Sequence, residues 1–351
     1  MKIYEKVKTD NGSRDIYFLG KKIFSYNNRE MHPDYRKSKI YDRIYHPIYS
    51  LDNPITNAKP EIYNSHGKKM DIFFLRDRHC AQFPYMNRSQ YFLWDRFNIG
   101  LDTHFYSHNT ILETMGKPRR KFALFMESPA IVPRDYEIFT KNAGLEKEFD
   151  AIFTMDERML DSLPNAKFFI QCANIWIGTE GGGGDLIPNR YSMKIKDISI
   201  LSSAKQMCDL HKARIACAER CKRLNLADTF GTFDGGGFVK TNDTLEQYRY
   251  SIIFENDIRD FWFTEKITNC FATQTIPIYL GARKIDQFFN PDGIITITPD
   301  DALNIEKVLK QCTPEEYERR LPAIIDNYNR VQEYRNMDDW LYEHYFLEQT
   351  K

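Results

Sequence analysis

The chain has 351 residues and a mass of 41.6 kDa, and 42% of its residues are hydrophobic. Its 49 Lys and Arg equal its 49 Asp and Glu, which excludes a protein held to nucleic acid by bulk positive charge. No apolar run reaches the roughly 18 residues of a spanning helix, and no apolar signal core opens the chain. Seven scattered cysteines indicate a reducing compartment, so we expect a cytoplasmic protein of two domains.

The first part of the chain is basic. Residues 1–48 contain eleven Lys and Arg against six Asp and Glu. Such a lead-in is either a solvated arm or a segment that touches anionic lipid on the inner face of the cell membrane. Both interpretations stay open from the sequence.

Apolar runs of strand length alternate with helical stretches in the first half of the chain. This alternation is typical of a parallel, doubly wound sheet. The predicted elements are a hairpin over 15–26, strands over 69–76, 121–127, 149–155 and 166–171, and helical stretches over 87–97 and 156–162.

A glycine-rich segment interrupts this pattern. Residues 178–185 read GTEGGGGD, and four consecutive glycines cannot hold a helix or strand together. The segment predicts a loop or hinge, and we place the domain boundary there. The N-terminal domain is then 1–185, and the C-terminal domain is 186–351.

The second half repeats the alternation of strands and helices. Together the halves predict an α/β protein with two Rossmann-like, doubly wound domains. The predicted strands are 195–202, 250–254, 275–280 and 294–297, and the predicted helices are 207–224, 265–272, 301–312, 313–326 and 327–346.

The segment 251–282 carries the most chemical information. A buried strand delivers Glu255 and Asn256 to its carboxyl end, and Thr264 is a good N-cap for a helix whose first turn contains Lys266. Ligands of doubly wound sheets lie beyond such strand ends, where helix N-termini attract anions. The pattern predicts a diphosphate site, and the alternative is a capped surface helix with a solvated lysine.

The order of residues in this segment resembles the signature of the α-1,3-fucosyltransferases, glycosyltransferase family ten. The matching elements are FEN at 254–256, Trp262, TEK at 264–266, TIPIY at 275–279 and Gly281. The resemblance implies the GT-B fold, in which two Rossmann-like domains face a cleft and the nucleotide-sugar lies on the C-terminal domain.

The same resemblance implies roles for individual residues. Arg214, in the matching segment 198–214, and Lys266 are the cations on the diphosphate. Asn256, Trp262 and Glu265 surround the ribose, the phosphate or the sugar. Two cations can neutralise the charge that grows on a departing nucleoside diphosphate, as a divalent metal would. The resemblance therefore implies that no metal cofactor is required.

Two further segments match the family. Residues 125–129 (FMESP) resemble its E-S-P element, so Glu127 is the candidate general base that deprotonates the acceptor hydroxyl. Residues 231–238 (GTFDGGGF) resemble its glycine-rich turn. Trp262 departs from the family, which usually has tyrosine there, and Asp257 adds a negative charge beside the expected diphosphate.

Metal sites have little support. Asp-x-Asp, the pattern of metal-bridged diphosphate sites, does not occur in the chain. Cys217 and Cys221 are four residues apart on one predicted helix near His211, which permits a metal site, although buried thiols are the commoner explanation.

The sequence thus predicts an inverting glycosyltransferase that moves fucose from GDP-fucose to a hydroxyl of a glycan acceptor. The resemblance implies an α-1,3 linkage on a bacterial surface polysaccharide or lipopolysaccharide. One alternative keeps the fold and uses another deoxyhexose nucleotide as donor. The other is a non-catalytic homologue that binds nucleotide or glycan.

Overall fold

The computed structural model describes residues 4–8, 14–26, 62–64, 66–77, 89–95, 98, 100–112, 117–178 and 183–347. Within the basic lead-in it contains a three-stranded antiparallel sheet of β1 (Tyr4–Lys8), β2 (Arg14–Phe18) and β3 (Lys21–Tyr26). The predicted hairpin is confirmed, because Leu19 and Gly20 join β2 to β3 with positive φ angles of 49° and 78°. The rest of 1–48, and with it the predicted lipid contact, lies outside the described residues.

The first α/β sheet takes its strands from 62–168. They are β4 (Ile62–Tyr63), β5 (Lys69–Arg76), β6 (Phe92–Asp95), β7 (Thr103–Ser107), β8 (Arg120–Leu124), β9 (Ala151–Thr154) and β10 (Ala166–Phe168). The order is β10-β9-β8-β7-β5-β4, with β6 also paired to β5, and every pair except β4 with β5 is parallel. Helices α1 (Ile138–Lys141) and α2 (Glu157–Ser162) belong to its connections.

The helix predicted over 87–97 is wrong where the structure describes this segment. Phe92–Asp95 is a strand, and the rings of Phe92 and Trp94 lie 4.7 Å apart on the same side of it. Both rings join a buried aromatic cluster with Phe73. Aromatic residues at i and i+2 satisfy the alternation of a strand, which explains the error.

The second sheet is entirely parallel. Its strands are β11 (Lys196–Leu201), β12 (Asp228–Phe230), β13 (Tyr248–Phe254), β14 (Ile276–Leu280) and β15 (Ile295–Thr296), in the order β12-β11-β13-β14-β15. The chain moves outward from β11 to β12 and then returns to the other side of β11 to form β13. Strands β11 and β13 therefore enclose a topological switch point, where open α/β sheets bind ligands.

Helices connect these strands and complete the chain. They are α3 (Asp209–Leu224), α4 (Thr241–Leu245), α5 (Glu265–Ala272), α6 (Pro299–Leu303), α7 (Ile305–Leu309), α8 (Pro314–Arg319), α9 (Leu321–Val331) and α10 (Met337–Tyr345). The predicted α/β class is confirmed, and two parallel sheets in one chain agree with GT-B architecture. Among the described residues, no helix has both the length and the apolar surface needed to cross a membrane.

The last helix, α10, packs on the first sheet. The hydroxyl of Tyr342 donates to Asp71 Oδ2 at 2.8 Å, and Trp94 Nε1 donates to Oδ1 of the buried Asp338 at 3.2 Å. The core around α10 contains side chains from both halves of the chain. The boundary at 185 and 186 stays a prediction, although it falls between the last strand of the first sheet and the first strand of the second.

Candidate functional site

A cavity of about 320 Å³ lies at the switch point of the second sheet. Residues 201–203 at the end of β11 and 251–254 at the end of β13 form two of its walls. Helices α3, α4 and α5 and the glycine-rich turn supply the others, with Arg214, Thr244, Glu265, Lys266 and Phe238 among the lining residues. Three of the six predicted site residues, Arg214, Glu265 and Lys266, therefore line one cavity.

Arg214 lines this cavity and has one unused donor. The side chain is only 8% exposed, and its Nη2 donates to Ser203 Oγ at 2.9 Å. Its Nε is buried and has no hydrogen-bond partner among the described residues. Burial lowers the pKa of Arg214, but a guanidinium stays charged at neutral pH. A buried cationic donor without a partner is costly, so the arrangement favours an anionic ligand.

Lys266 is the second cation and lies in the first turn of α5. Its Nζ donates to Thr264 Oγ1 at 2.9 Å and to Glu255 Oε2 at 3.1 Å, and 26% of the side chain stays exposed. Burial would lower the pKa of Lys266, but the charges of Glu255 and Glu265 outweigh it and raise the pKa above its ordinary value. Lys266 is therefore a fixed positive charge at a helix N-terminus.

Glu255 binds both Thr264 and Lys266 and so fixes the start of α5. The sequence pattern places Glu255 at a strand end but predicts no role for it. Its fully buried carboxylate accepts from the Thr264 backbone N–H at 2.9 Å and from the Thr264 hydroxyl at 2.8 Å. Burial raises the pKa of Glu255, and the neighbouring Lys266 charge opposes that rise. The combination of FEN and TEK could have indicated the pair, because the strand end and the helix N-cap are adjacent in this fold.

His211 lies close to both cations. It is buried one helical turn before Arg214, and its Nδ1 accepts from the Met207 N–H at 3.3 Å. Burial, together with the charges of Arg214 and Lys266, lowers the pKa of His211 to about 4. The imidazole is therefore neutral near pH 7.

The glycine-rich turn forms another wall. Gly231 has φ of 100°, and a Cβ at this position would lie 2.3 Å from the Ser202 carbonyl oxygen. The turn can therefore approach the end of β11 only with glycine there. Phe238 lines the cavity while its side chain is 81% exposed, which leaves an open aromatic face at the entrance.

Asn256 and Glu127 lie away from the cavity lining and contact each other. Asn256 Nδ2 donates to Glu127 Oε1 at 2.8 Å, and the Ser128 N–H donates to the same oxygen at 2.8 Å. Tyr136 fixes the main chain, because its hydroxyl donates to the Glu127 carbonyl at 2.6 Å. Glu127 follows β8 and Asn256 follows β13, so the carboxyl ends of the two sheets meet at this bond.

Trp262 lies elsewhere. Its side chain is only 2% exposed and belongs to the hydrophobic core rather than to the cavity lining. Its Nε1 is buried and has no hydrogen-bond partner in the described part of the chain. The predicted contact of Trp262 with the nucleotide-sugar stays a prediction. A direct contact would require the buried ring to move.

The thiols near His211 form no metal site. Cys217 and Cys221 are buried free thiols on α3. Across the described ranges, no group of three His, Cys, Asp or Glu side chains is placed to hold a metal ion.

Comparison with known families gives a match in the second half of the chain. Residues 194–316 match the family model described as glycosyltransferase family 10 (fucosyltransferase) C-term. A stretch of 88 residues is 32% identical to the alpha-(1,3)-fucosyltransferase FucT of Helicobacter pylori. It covers 21% of this chain and 18% of that protein, so the chain matches less than a fifth of the relative's length.

Several solved structures are similar to this chain at low sequence identity. An alpha1,3-fucosyltransferase with GDP has a TM-score of 0.46 and 15% identity, covering 82% of this chain and 97% of that chain. The same enzyme type with GDP-fucose has a TM-score of 0.46 and 16% identity, covering 76% and 86%. Sucrose-phosphate synthase of Thermosynechococcus elongatus has a TM-score of 0.44 and 10% identity, covering 71% and 73%.

Proposed function

We propose that the chain is an inverting fucosyltransferase that uses GDP-fucose, from the premise that residues 194–316 match the model of glycosyltransferase family 10. One observation carries the proposal. Arg214, with its buried and unpartnered Nε, and Lys266 converge on a single cavity at the switch point of a parallel sheet. A nucleoside diphosphate is the ligand whose shape and charge fit that position.

The two cations act on the leaving group. When the bond between the sugar and the diphosphate breaks, negative charge develops on the β-phosphate oxygen. Arg214 and Lys266 stabilise that charge without reorganising, because Ser203 and Glu255 already fix them. Glu265 cannot pair with phosphate, so we assign its carboxylate to hydroxyl groups of the ribose or the fucose. We assign the exposed face of Phe238 to the purine base.

The transfer is a single displacement. The oxygen of an acceptor hydroxyl attacks the anomeric carbon of fucose from the side opposite the diphosphate. A new carbon–oxygen bond forms, the bond to the β-phosphate oxygen breaks, and the hydroxyl proton moves to Glu127. The products are the fucosylated glycan with inverted anomeric configuration and GDP. We propose an α-1,3 linkage, which is supported by the linkage in the name of the Helicobacter pylori relative, alpha-(1,3)-fucosyltransferase FucT.

We also propose that the reaction needs no divalent metal. The support is the charge balance at the cavity, where two side-chain cations already face the position of the diphosphate. This is the task that a bound metal performs in other transferases.

Titration calorimetry with GDP and with GDP-, UDP- and dTDP-sugars tests the donor. We expect GDP and GDP-fucose to bind, and Arg214→Ala to weaken both at least tenfold. Tighter binding of a UDP- or dTDP-sugar than of GDP-fucose would show that the protein uses another donor. Donor binding without any GDP release from GDP-fucose, in the presence or absence of glycans, would indicate a non-catalytic homologue.

A further inference from the structure

Among the described residues, three hydrogen bonds seat the loop that follows β13 against the first domain. They join Asn256 Nδ2 to Glu127 Oε1 at 2.8 Å, the Ala130 N–H to Asp257 Oδ2 at 3.1 Å, and Arg259 Nη2 to Asp156 Oδ2 at 2.7 Å. Each contact joins a residue of 256–259 to a residue just beyond the carboxyl end of a strand in the first sheet. The candidate base is the partner in one of them.

The orientation of the Asn256 amide follows from its partner. A carboxylate only accepts hydrogen bonds, so the nitrogen of the amide, and not its oxygen, must face Glu127. Asn256 is 9% exposed, and its Oδ1 is buried without a partner among the described residues. The side chain therefore has one fixed donor toward Glu127 and one unused acceptor.

The Glu127 carboxylate is held from one side only. Its Oε1 receives two hydrogen bonds, from the Ser128 N–H and from Asn256 Nδ2. No described residue donates to Oε2. Two donors on one oxygen stop the carboxylate from rotating and leave the other oxygen to accept a proton.

The residues that follow β13 position both the cation on the leaving group and the base. Glu255 and Asn256 are consecutive, and their side chains point to different partners. Glu255 holds Lys266 beside the cavity, and Asn256 holds Glu127 on the other domain. The spacing between leaving-group cation and base is therefore set by two adjacent residues that directly follow β13.

We propose that Asn256 is a positioning residue for Glu127: its amide holds the carboxylate in the orientation that accepts the proton of the attacking hydroxyl. Because Asn256 belongs to the second domain, the base is correctly oriented only when the two domains are seated together. This inference rests on the proposed function. It differs from the donor-binding role predicted for Asn256, because the consequence of its loss is slow chemistry rather than weak donor binding.

The test measures GDP release from GDP-fucose with water as acceptor, together with GDP binding by calorimetry. Asn256→Ala should lower kcat about 10- to 100-fold, because a misplaced base loses much of its effect. The donor KM and the Kd of GDP should stay within about twofold of the wild type. The unchanged GDP affinity also shows that the variant is folded.

Asn256→Asp is the isosteric second variant. It replaces the donor nitrogen by an oxygen and places two carboxylates side by side. Like charges favour the protonated form, so the acid limb of the kcat–pH profile should move to higher pH. A residue with only a structural role in the loop would not move this limb.

Asp257→Asn is the matched control, because it changes the next residue while its amide oxygen still accepts from the Ala130 N–H. Its kcat should stay within about threefold of the wild type. A kcat for Asn256→Ala within threefold of the wild type, or a raised donor KM at unchanged kcat, would overturn the inference. Failure of the wild type itself to release GDP would instead overturn the proposed function, and with it this inference.

Discussion

The two sheets hold their functional groups in different ways. At the carboxyl end of the second sheet, Arg214 and Lys266 are fixed by Ser203 and Glu255 of the same domain. At the carboxyl end of the first sheet, Glu127 takes one of its two side-chain hydrogen bonds from Asn256 of the other domain. The proposed donor site is thus held by residues of the second sheet and its connections alone, whereas the proposed base depends on a residue that follows the other sheet. Donor binding and chemistry should therefore respond to different substitutions.

The largest difference between the effect on kcat and the effect on GDP affinity is expected for Glu127→Gln. The amide cannot take the hydroxyl proton, so kcat should fall about 10²- to 10⁴-fold. The affinity for GDP, measured by calorimetry, should stay unchanged because Glu127 lies outside the cavity lining. Equal losses in kcat and GDP affinity would show that the two halves are not independent.

Removing either Arg214 or Lys266 should lower both kcat and the affinity for GDP. Lys266→Ala or Arg214→Ala should cost about 2–4 kcal/mol of transition-state stabilisation, or about 30- to 1,000-fold in rate, and should weaken GDP binding. Lys212→Ala is a suitable control, because Lys212 is exposed on α3 and pairs with Asp209. Mild effects from both cavity variants would remove the proposed roles.

The contact between α10 and the first sheet should make stability depend on pH. Burial raises the pKa of Asp338 from 3.8 to about 8. Because the folded-state pKa is the higher one, the stabilisation from the protonated carboxyl is complete below pH 4 and is lost as pH rises through about 8. Asp338→Asn should raise the thermal midpoint by a few degrees at pH 9, relative to wild type, and change it little at pH 4.

The exposed Asp286 provides the control for that measurement. Asp286→Asn should leave the difference in thermal midpoint between pH 4 and pH 9 unchanged. A wild type whose midpoint does not fall between these pH values, with Asp338→Asn behaving identically, would contradict a buried protonated carboxyl.

The smallest effect is expected from chelation. If Arg214 and Lys266 take the charge of the leaving diphosphate, GDP release in excess EDTA should proceed at close to the untreated rate. Adding Mg²⁺ afterwards serves as the control. Complete loss of activity in EDTA, restored by Mg²⁺, would contradict the cation-pair mechanism.

The second sheet was the easier half to predict. Its strands are short apolar runs, and Thr264 caps α5 where the sequence indicated, so that Glu265–Ala272 is helical as predicted. The last helices were predicted too long. Thr313 and Asn336 are N-caps that divide the region into shorter helices, and a cap in the middle of an amphipathic stretch is hard to distinguish from a polar surface residue.

Only the site residues that belong to recognisable motifs could be predicted from the sequence. Arg214, Glu265 and Lys266 line one cavity, in agreement with the donor site that the family resemblance implies. The bond between Asn256 and Glu127 joins residues 129 positions apart, and periodicity carries no information about such a pair. The burial of Trp262 could not be predicted either, because an aromatic residue in a motif can pack in the core or contact a ligand.

A crystal structure of the protein with GDP tests the central claim most directly. We predict that the diphosphate lies in the cavity between β11 and β13, within hydrogen-bond distance of the Arg214 guanidinium and of Lys266 Nζ. The guanine should lie toward the exposed ring of Phe238. A diphosphate bound elsewhere, with both cations keeping only their present contacts, would contradict the account.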